Sequence, residues 1–362
     1  MDLHNIMPEQ AVAFLHRYLN NPSPTGHEWR GQQIWLEYLK PYIDTYEIDD
    51  YGSAYGVINP ESDYRVVIEA HADEIGWRVS NISEDGIISM MRVGGSDPQI
   101  APSKRINIYT ADNEIVKGVF GWPAIHLRGG GNELSPKYEN IFVDCGFSSR
   151  QEAEDANIHI GCVATYEDEL CLLQNRYYCG RALDNKIGGF MIAQVARLLR
   201  ENKIQLPFAL YVVNSVQEEV GLRGAEMISR RIKPHVAIIT DVSHDTSTPG
   251  INKGKFGDYK CGKGPMIGYG PAIHNKLLNI IIGCAKENEL PFQREANGES
   301  TGTDTDAFAY ANEGVVSALI SLPLRYMHTT VEMAHQDDII NTIKLMYYAL
   351  QKIEYKHNFK YF

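Results

Sequence analysis

The chain has 362 residues, enough for one large domain or two smaller ones with a proper core. Its 34 lysines and arginines against 46 aspartates and glutamates leave a net charge of −12, which argues against nucleic acid because nothing here would neutralise phosphates. No apolar run is long enough to span a bilayer, no signal-type h-region follows MDLHNIMPEQ, and the six scattered cysteines form no C-x-x-C pair, so free thiols in a reducing cytoplasm and no membrane partner are expected.

In chain order, PEQAVAFLHRYLN reads as a helix, and NNPSPTGHE breaks it with prolines and a glycine. Thr25 and Glu28 are spaced as a capping box for a second helix ending at Leu39. VVIEAHADEIG is an apolar strand running into His71 and Asp73. From about residue 76 to 165 the pattern changes to short strand-like runs, IISMMRV, RINIYT, EIVKGVF and NIFVDCG, interrupted only by a short helical RQEAEDAN. This is the pattern of a small β-rich unit. NKIGGFMIAQVARLLREN then places Ile187, Met191, Val195 and Leu198 on one helical face. The strands PFALYVVNSV, HVAIIT and VVSALISL follow, separated by helices, with a last amphipathic helix from about Ile339. Continuous apolar strands between helices predict an α/β fold with a mostly parallel sheet covered on both faces. The expected organisation is a discontinuous domain, 1–72 and 166–362, interrupted by a β-rich domain at 73–165.

Sites in open α/β sheets form beyond the carboxyl ends of strands. His71 and Asp73 lie there, as do the adjacent pair Glu218 and Glu219, Asp241, and His328 after PLRYM; Asp184 precedes the helix carrying Gly188 and Gly189, which let it lie close to its neighbours. Taken singly, each has a plainer reading as a cap, a structural histidine or a solvated turn. Their shared placement favours a metal centre, because clustered buried carboxylates would otherwise protonate. Imidazole and carboxylate without cysteine suit zinc, cobalt or manganese. Two ions ~3.5–4 Å apart, bridged by one carboxylate, would use five ligands and leave one glutamate over. One of the paired glutamates would then bind metal and its neighbour would take a proton from water. His335, Asp337 and Asp338 read as caps of the last helix, Tyr326 and Met327 as packing, and His244 and Asp245 stay unassigned.

PSPTGHE, HADEIG, GGSDPQ, GRALDNKIGG, SVQEEVGLRGA, IITDVSHD, GKGP and PLRYMHTTVE follow one another nearly end to end. In this order they resemble the M42 family of metallo-aminopeptidases, the tetrahedral or glutamyl type. The resemblance implies one metal on His71, Asp184 and Asp241 and a second on Asp184, Glu219 and His328, with Asp184 bridging. It further implies Glu218 as the general base and Asp73 as the residue that orients His71. By the same resemblance the 73–165 insertion is a PDZ-like dimerisation domain, and the chain assembles into a homo-oligomer, a dimer or a dodecamer. Ser96 stands where the family usually has tryptophan, and GTDTDAF at 302–308 is less glycine-rich than usual, with Asp304 rather than Asp306 matching the family's aspartate. The expected activity is a dinuclear aminopeptidase acting on short peptides, with metal-activated water and Glu218 as base. A related deacylase or carboxypeptidase-like hydrolase is the nearest alternative. A glycosidase is disfavoured by the histidines, and a merely structural metal site has no use for Glu218.

Overall fold

In the computed structural model, residues 5–112, 114–128 and 134–362 are described. An eleven-stranded sheet forms the body of the molecule. Its centre is four parallel strands in the spatial order Ala209–Ser215, Arg65–His71, Val236–His244 and Val316–Arg325. These are the strands the sequence marks as continuously apolar, and they are buried on both faces. The expectation of a mostly parallel sheet needs correction at the flanks. Ala54–Ile58 on one side, and Glu332–His335, Tyr177–Gly180 and Cys171–Leu173 on the other, all pair antiparallel, so the sheet is mixed. Their runs are too short to be told from loops by periodicity alone.

Helices cover both faces. Ala70 meets the helix Leu183–Glu201 at Gly188, where an added Cβ would come within 2.8 Å of the Ala70 methyl group. The neighbouring Glu69 points to the other face, toward Asp304 at the start of the helix Asp304–Ala309. Gly189 is equally crowded, with the Tyr18 hydroxyl 2.9 Å from such a Cβ. The Leu183–Glu201 helix was expected to be amphipathic, yet it is buried from Leu183 to Leu199. It is enclosed by the sheet and by the helices Glu9–Asn20, Trp29–Leu39 and Gln336–Leu350. Its polar residues survive burial because they are bonded: Gln194 to Tyr38, Arg197 to Glu201, and Lys186 to the Asn21 carbonyl.

The chain leaves this sheet after Glu74 and builds a closed six-stranded antiparallel barrel. The order around it is Gly76–Ile82, Ile88–Val93, Phe142–Asp144, Ile115–Gly121, Arg105–Tyr109 and Val163–Tyr166. The helical RQEAEDAN run is the short helix Arg150–Asp155. The barrel has its own apolar cluster around Trp77, Phe120 and Tyr166, separate from the core of the large sheet. No helix among the described residues is long and apolar enough to cross a membrane, and the six cysteines are unpaired.

The capping box at the second helix does not form. Glu28 is the N-cap residue of Trp29–Leu39, but its carboxylate accepts from Gly26 N, and the Thr25 hydroxyl donates to Asp73 at 2.7 Å. At the last helix His335 does cap, accepting from Asp337 N at 3.1 Å. Asp338 instead accepts from Gly262 N and Gly264 N.

Candidate active site

All seven residues expected at the centre converge. His71 closes its strand with Nε2 3.3 Å from Asp184 Oδ1 and 3.8 Å from both Asp241 Oδ1 and Glu218 Oε2. Asp241 lies on the adjacent parallel strand. Asp184 sits in the first turn of its helix but with extended backbone, φ −80° and ψ 111°. Its second oxygen, Oδ2, lies 3.3 Å from His328 Nε2, which is in turn 3.6 Å from Glu219 Oε1. Two triads result, His71–Asp184–Asp241 and Asp184–Glu219–His328, each with donor atoms within 4.8 Å of one another. Asp184 belongs to both.

The paired glutamates lie just beyond their strand, on the turn toward Gly221 that the sequence suggests. The strand stops at Ser215, the chain turns through Gln217 at φ 59°, and Glu218–Val220 is one 3₁₀ turn. Both carboxylates can reach the centre because a turn, unlike a strand, does not alternate its side chains between two faces.

Asp73 holds this turn. Its carboxylate accepts from Glu218 N at 3.0 Å, Glu219 N at 3.2 Å and the Thr25 hydroxyl, and lies 3.4 Å from His71 Nδ1. The Asp73 carbonyl is also 3.2 Å from His71 Nδ1, so that nitrogen carries the proton and Nε2 faces the acidic cluster. One carboxylate therefore positions a histidine and both glutamates.

A second clamp escaped the sequence reading. The buried Glu332 accepts from Asp184 N at 3.1 Å and from His328 N at 2.8 Å. It ties the shared aspartate to the second histidine as Asp73 ties the first histidine to the glutamates. The available signal was a glutamate four residues beyond His328, in HTTVE. Gly94 and Gly95 belong to the GGSDPQ motif on the barrel. A Cβ on Gly95 would sit 2.5 Å from His328 Cε1, and one on Gly94 would sit 3.1 Å from Glu219 Cβ, so the barrel's loop closes directly on the second triad. Ser96 is buried and donates to the Gly76 carbonyl at 2.7 Å. Asp304 lies behind the centre, where the Ser215 hydroxyl reaches both it and Glu69.

Burial and mutual repulsion set the protonation of the chain alone. Burial pushes Glu218 up to about 9, with Asp241, Asp304 and Asp184 adding to it against His71. Asp241 is likewise pushed up to about 8 by burial, with Asp184 adding. Glu219 is raised well above the carboxylate range by burial and by Asp184. Burial would lower His71, but Glu218, Asp184, Asp73 and Asp241 carry it well above the ordinary imidazole value. Burial would raise Asp184, but the His328 and His71 imidazoles hold it below the usual range.

The centre opens into a cavity of about 740 Å³ lined by His71, Asp184, Glu218, Glu219, Asp241 and His328 and, further out, by Ser243, His244, Glu295 and Asp306. A larger groove of about 1190 Å³ beside Tyr64, His274 and the C-terminal segment gathers no such donor set, so chemistry rather than size identifies the site.

Imidazole and carboxylate donors gathered at the carboxyl edge of an α/β sheet, around one shared aspartate, define a metal-dependent hydrolase. The family model described as M42 glutamyl aminopeptidase matches residues 52–345, and the chain belongs to the M42 peptidase family, whose members are metal-dependent peptide hydrolases. A lysyl aminopeptidase of Pyrococcus furiosus is 34% identical over 343 residues, covering 94% of this chain and 96% of the relative. The crystal structure of a TET aminopeptidase from the marine sediment archaeon Thaumarchaeota archaeon SCGC AB-539-E09 superposes with a TM-score of 0.90 at 27% identity, covering 96% of this chain and 97% of that one. PhTET1-12s, a dodecamer, gives a TM-score of 0.83 at 25% identity over 94% of this chain and 99% of its own.

Proposed function

We propose that the chain is a dinuclear metal-dependent aminopeptidase that removes N-terminal residues from short peptides. The observation that carries this reading is the pair of triads sharing Asp184. The donors fit divalent cations. Glu219 Oε1 is shut from solvent without a hydrogen-bond partner, and carboxylates this close disperse or protonate unless positive charge joins them. His71, Asp184 and Asp241 would hold one ion, and Asp184, Glu219 and His328 the other. Zinc suits this donor set best, with cobalt and manganese also accommodated. When bound, such ions polarise a carbonyl and acidify water.

Glu218 is the carboxylate left over. It lines the cavity with one oxygen 3.8 Å from His71 Nε2, and its high proton affinity suits a general base. It takes the proton from the attacking water and passes it to the leaving amine. Positive charge in the triads brings its pKa down toward the working pH. Asp73 orients it through the Glu218 N–H, so the base keeps its place while its proton moves.

We infer that residues 1–72 and 166–362 form the catalytic domain and that the barrel within 73–165, in the place of a PDZ-like domain, is the assembly module. It carries several exposed apolar side chains, Ile125 at 69% and Leu127 at 80% exposure together with Ile115, Val119 and Ile160. Exposed apolar surface of this kind marks contact sites. A dimer-based homo-oligomer follows, with a dodecamer like PhTET1-12s as the closed form. Unpaired cysteines fit the reducing cytoplasm.

The test is hydrolysis of free-amine peptides by chelated protein, before and after zinc, cobalt or manganese is returned. Activity is expected only with metal, and only on peptides whose N-terminus is not acetylated. Full activity in a metal-free sample, or equal rates on acetylated and free peptides, overturns the reading.

A further inference from the structure

Of the six cysteines, Cys171 alone is exposed, and it faces another cysteine. Cys171 and Cys179 are directly opposite residues of the antiparallel strands Cys171–Leu173 and Tyr177–Gly180. Directly opposite residues of such a pair point to the same face, with Cα atoms ~4.5–5.5 Å apart. A disulfide spans Cα separations of ~4.4–6.8 Å, so this register suits a covalent link. The other four thiols are dispersed. Cys162 lies in the apolar cluster of the barrel and Cys284 in the core of the large sheet, Cys261 donates to the Pro323 carbonyl at 3.3 Å, and Cys145 is half-buried. Within the facing pair the exposures differ, because Cys179 is only 8% exposed. Burial pushes the Cys179 thiol up, and the Cys171 thiol beside it adds to the effect. An oxidant dissolved in water therefore meets Cys171 first.

The pair stands at a junction. Cys171–Leu173 is the edge strand of the large sheet, exposed along its length, on which the chain returns from the last barrel strand, Val163–Tyr166. Tyr177–Gly180 is gripped on its other side by Glu332–His335, with Cys179 opposite Met333 and Gly180 opposite Glu332. It leads directly to Asp184. A three-residue edge strand, bonded along one side only, opens more readily than the strands inside the sheet.

We propose that Cys171 and Cys179 are a peroxide-responsive thiol pair that closes into a reversible cross-strand disulfide and fixes the edge strand to the strand that leads into Asp184. Hydrogen peroxide oxidises the Cys171 thiolate to a sulfenic acid and is itself reduced to hydroxide. The Cys179 sulfur then attacks the Cys171 sulfur, the S–O bond breaks, and the oxygen leaves as water. In sum, two thiols and one peroxide give one disulfide and two waters. A dithiol reductant reverses the link. The inference stands on strand register and exposure, and it is independent of the aminopeptidase reading.

The test treats the full chain with a small molar excess of hydrogen peroxide, quenches with catalase and alkylates the remaining thiols. Two of the six thiols should be lost, and dithiothreitol should restore both. Peptide mapping without reductant should find Cys171 joined to Cys179 within one chain. Amide hydrogen exchange over residues 171–180 should slow in the oxidised chain and recover on reduction. Cys171→Ser, a change at an exposed position, should keep all its remaining thiols at the same dose. Cys179→Ser should lose one thiol and hold a sulfenic acid that dimedone traps. The peptide map of the unaltered chain decides the pairing even where a variant fails to fold. Linkage of two chains through Cys171, loss of any other pair of thiols, passage of Cys171 to sulfinic acid in the unaltered chain, or six intact thiols would each overturn the proposal. A disulfide that leaves exchange over residues 171–180 unchanged would overturn the fixing of the edge strand.

Discussion

The two triads that share Asp184 are built differently. His71 and Asp241 stand on neighbouring parallel strands, with side chains only 2% and 6% exposed. Glu219 stands on a 3₁₀ turn and His328 on a loop at φ 61°, its side chain 34% exposed. The first half inherits its geometry from the sheet. The second must be held by added devices: Asp73 on the glutamate turn, Glu332 on the histidine loop, and the barrel's Gly94–Gly95 loop against both ligands. A site carried on regular elements is stiffer than one carried on loops. The first triad should therefore keep its metal longer than the second, and the second should feel events in the barrel.

The largest effect should come where the halves meet. Asp184→Asn removes charge from both triads at once, so neither should retain metal. Turnover should then fall by more than the ~10²–10⁴-fold that a general base alone contributes. Elemental analysis finding one ion still bound would show that the halves do not share Asp184 as the geometry has it.

Next comes the separation of chemistry from binding. Glu218→Gln should lower turnover by ~10²–10⁴-fold with both ions still present, and added metal should not rescue it. Glu219→Gln should lose the second ion and recover activity as metal concentration rises. Metal lost from Glu218→Gln and kept in Glu219→Gln would reverse the two roles.

This asymmetry also explains what the sequence made legible. The parallel strands, their order in the chain and the polar residues at their ends are readable because apolar runs and chain punctuation announce them. The family resemblance then sorts these residues into two groups, and in the structure the same residues lie together as two triads. What the sequence hid lies in the second half. The turn that carries Glu218 and Glu219 beyond their strand is readable, but nothing local announces the left-handed Gln217 that starts it. Thr25 reads as a cap because its true partner, Asp73, lies 48 residues away. Glu332 is one more acid in a polar segment until its two backbone partners are in view. The antiparallel flanks of the sheet were missed for a similar reason: Cys171–Leu173 and Tyr177–Gly180 are short strands defined by their pairing rather than by pattern.

Metal removal should bring out the difference in two stages. Graded chelation is expected to release one ion per chain readily, with loss of activity, and the other only at higher chelator. In the fully stripped chain Asp241, Glu218 and His71 have folded pKa values above their unfolded ones. The folded state thus holds more protons than the unfolded state across the window from about pH 4 to pH 8, and stability falls as pH rises through it. Each retained proton contributes a slope of ~1.4 kcal/mol per pH unit. Asp184, with its lowered pKa, works in the opposite sense, losing stability on acidification below the unfolded carboxylate range. Bound metal takes the place of the protons, so its stabilising increment should grow with pH. A metal-free Tm that rises between about pH 5 and pH 8 would contradict this account.

The smallest expected effect tests the link between the barrel and the second half. Gly95 does not lie in the left-handed region, so alanine there meets no backbone objection. The obstacle is the His328 ring, whose Cε1 would lie 2.5 Å from the new methyl group. Either the loop retreats or the imidazole turns, at the ~1–3 kcal/mol typical of overpacking. His328 N is pinned by Glu332 and the loop after it by Lys104, which reaches Thr330 from the barrel, so the ring rather than the backbone should give way. Gly95→Ala should then weaken the second ion by ~10–100-fold, the usual cost of disturbing a ligand's support. The ion at His71, Asp184 and Asp241 should stay bound, because the atoms a Gly95 methyl group would meet first all belong to His328, which is not in that triad. The decisive measurement is metal stoichiometry at limiting metal, read beside activity at saturating metal. One ion lost at limiting metal, with activity restored at saturation, ties the barrel to the second half. Equal loss of both ions would mean that the two halves are one unit after all, and no loss of either would mean that the loop yields without moving His328.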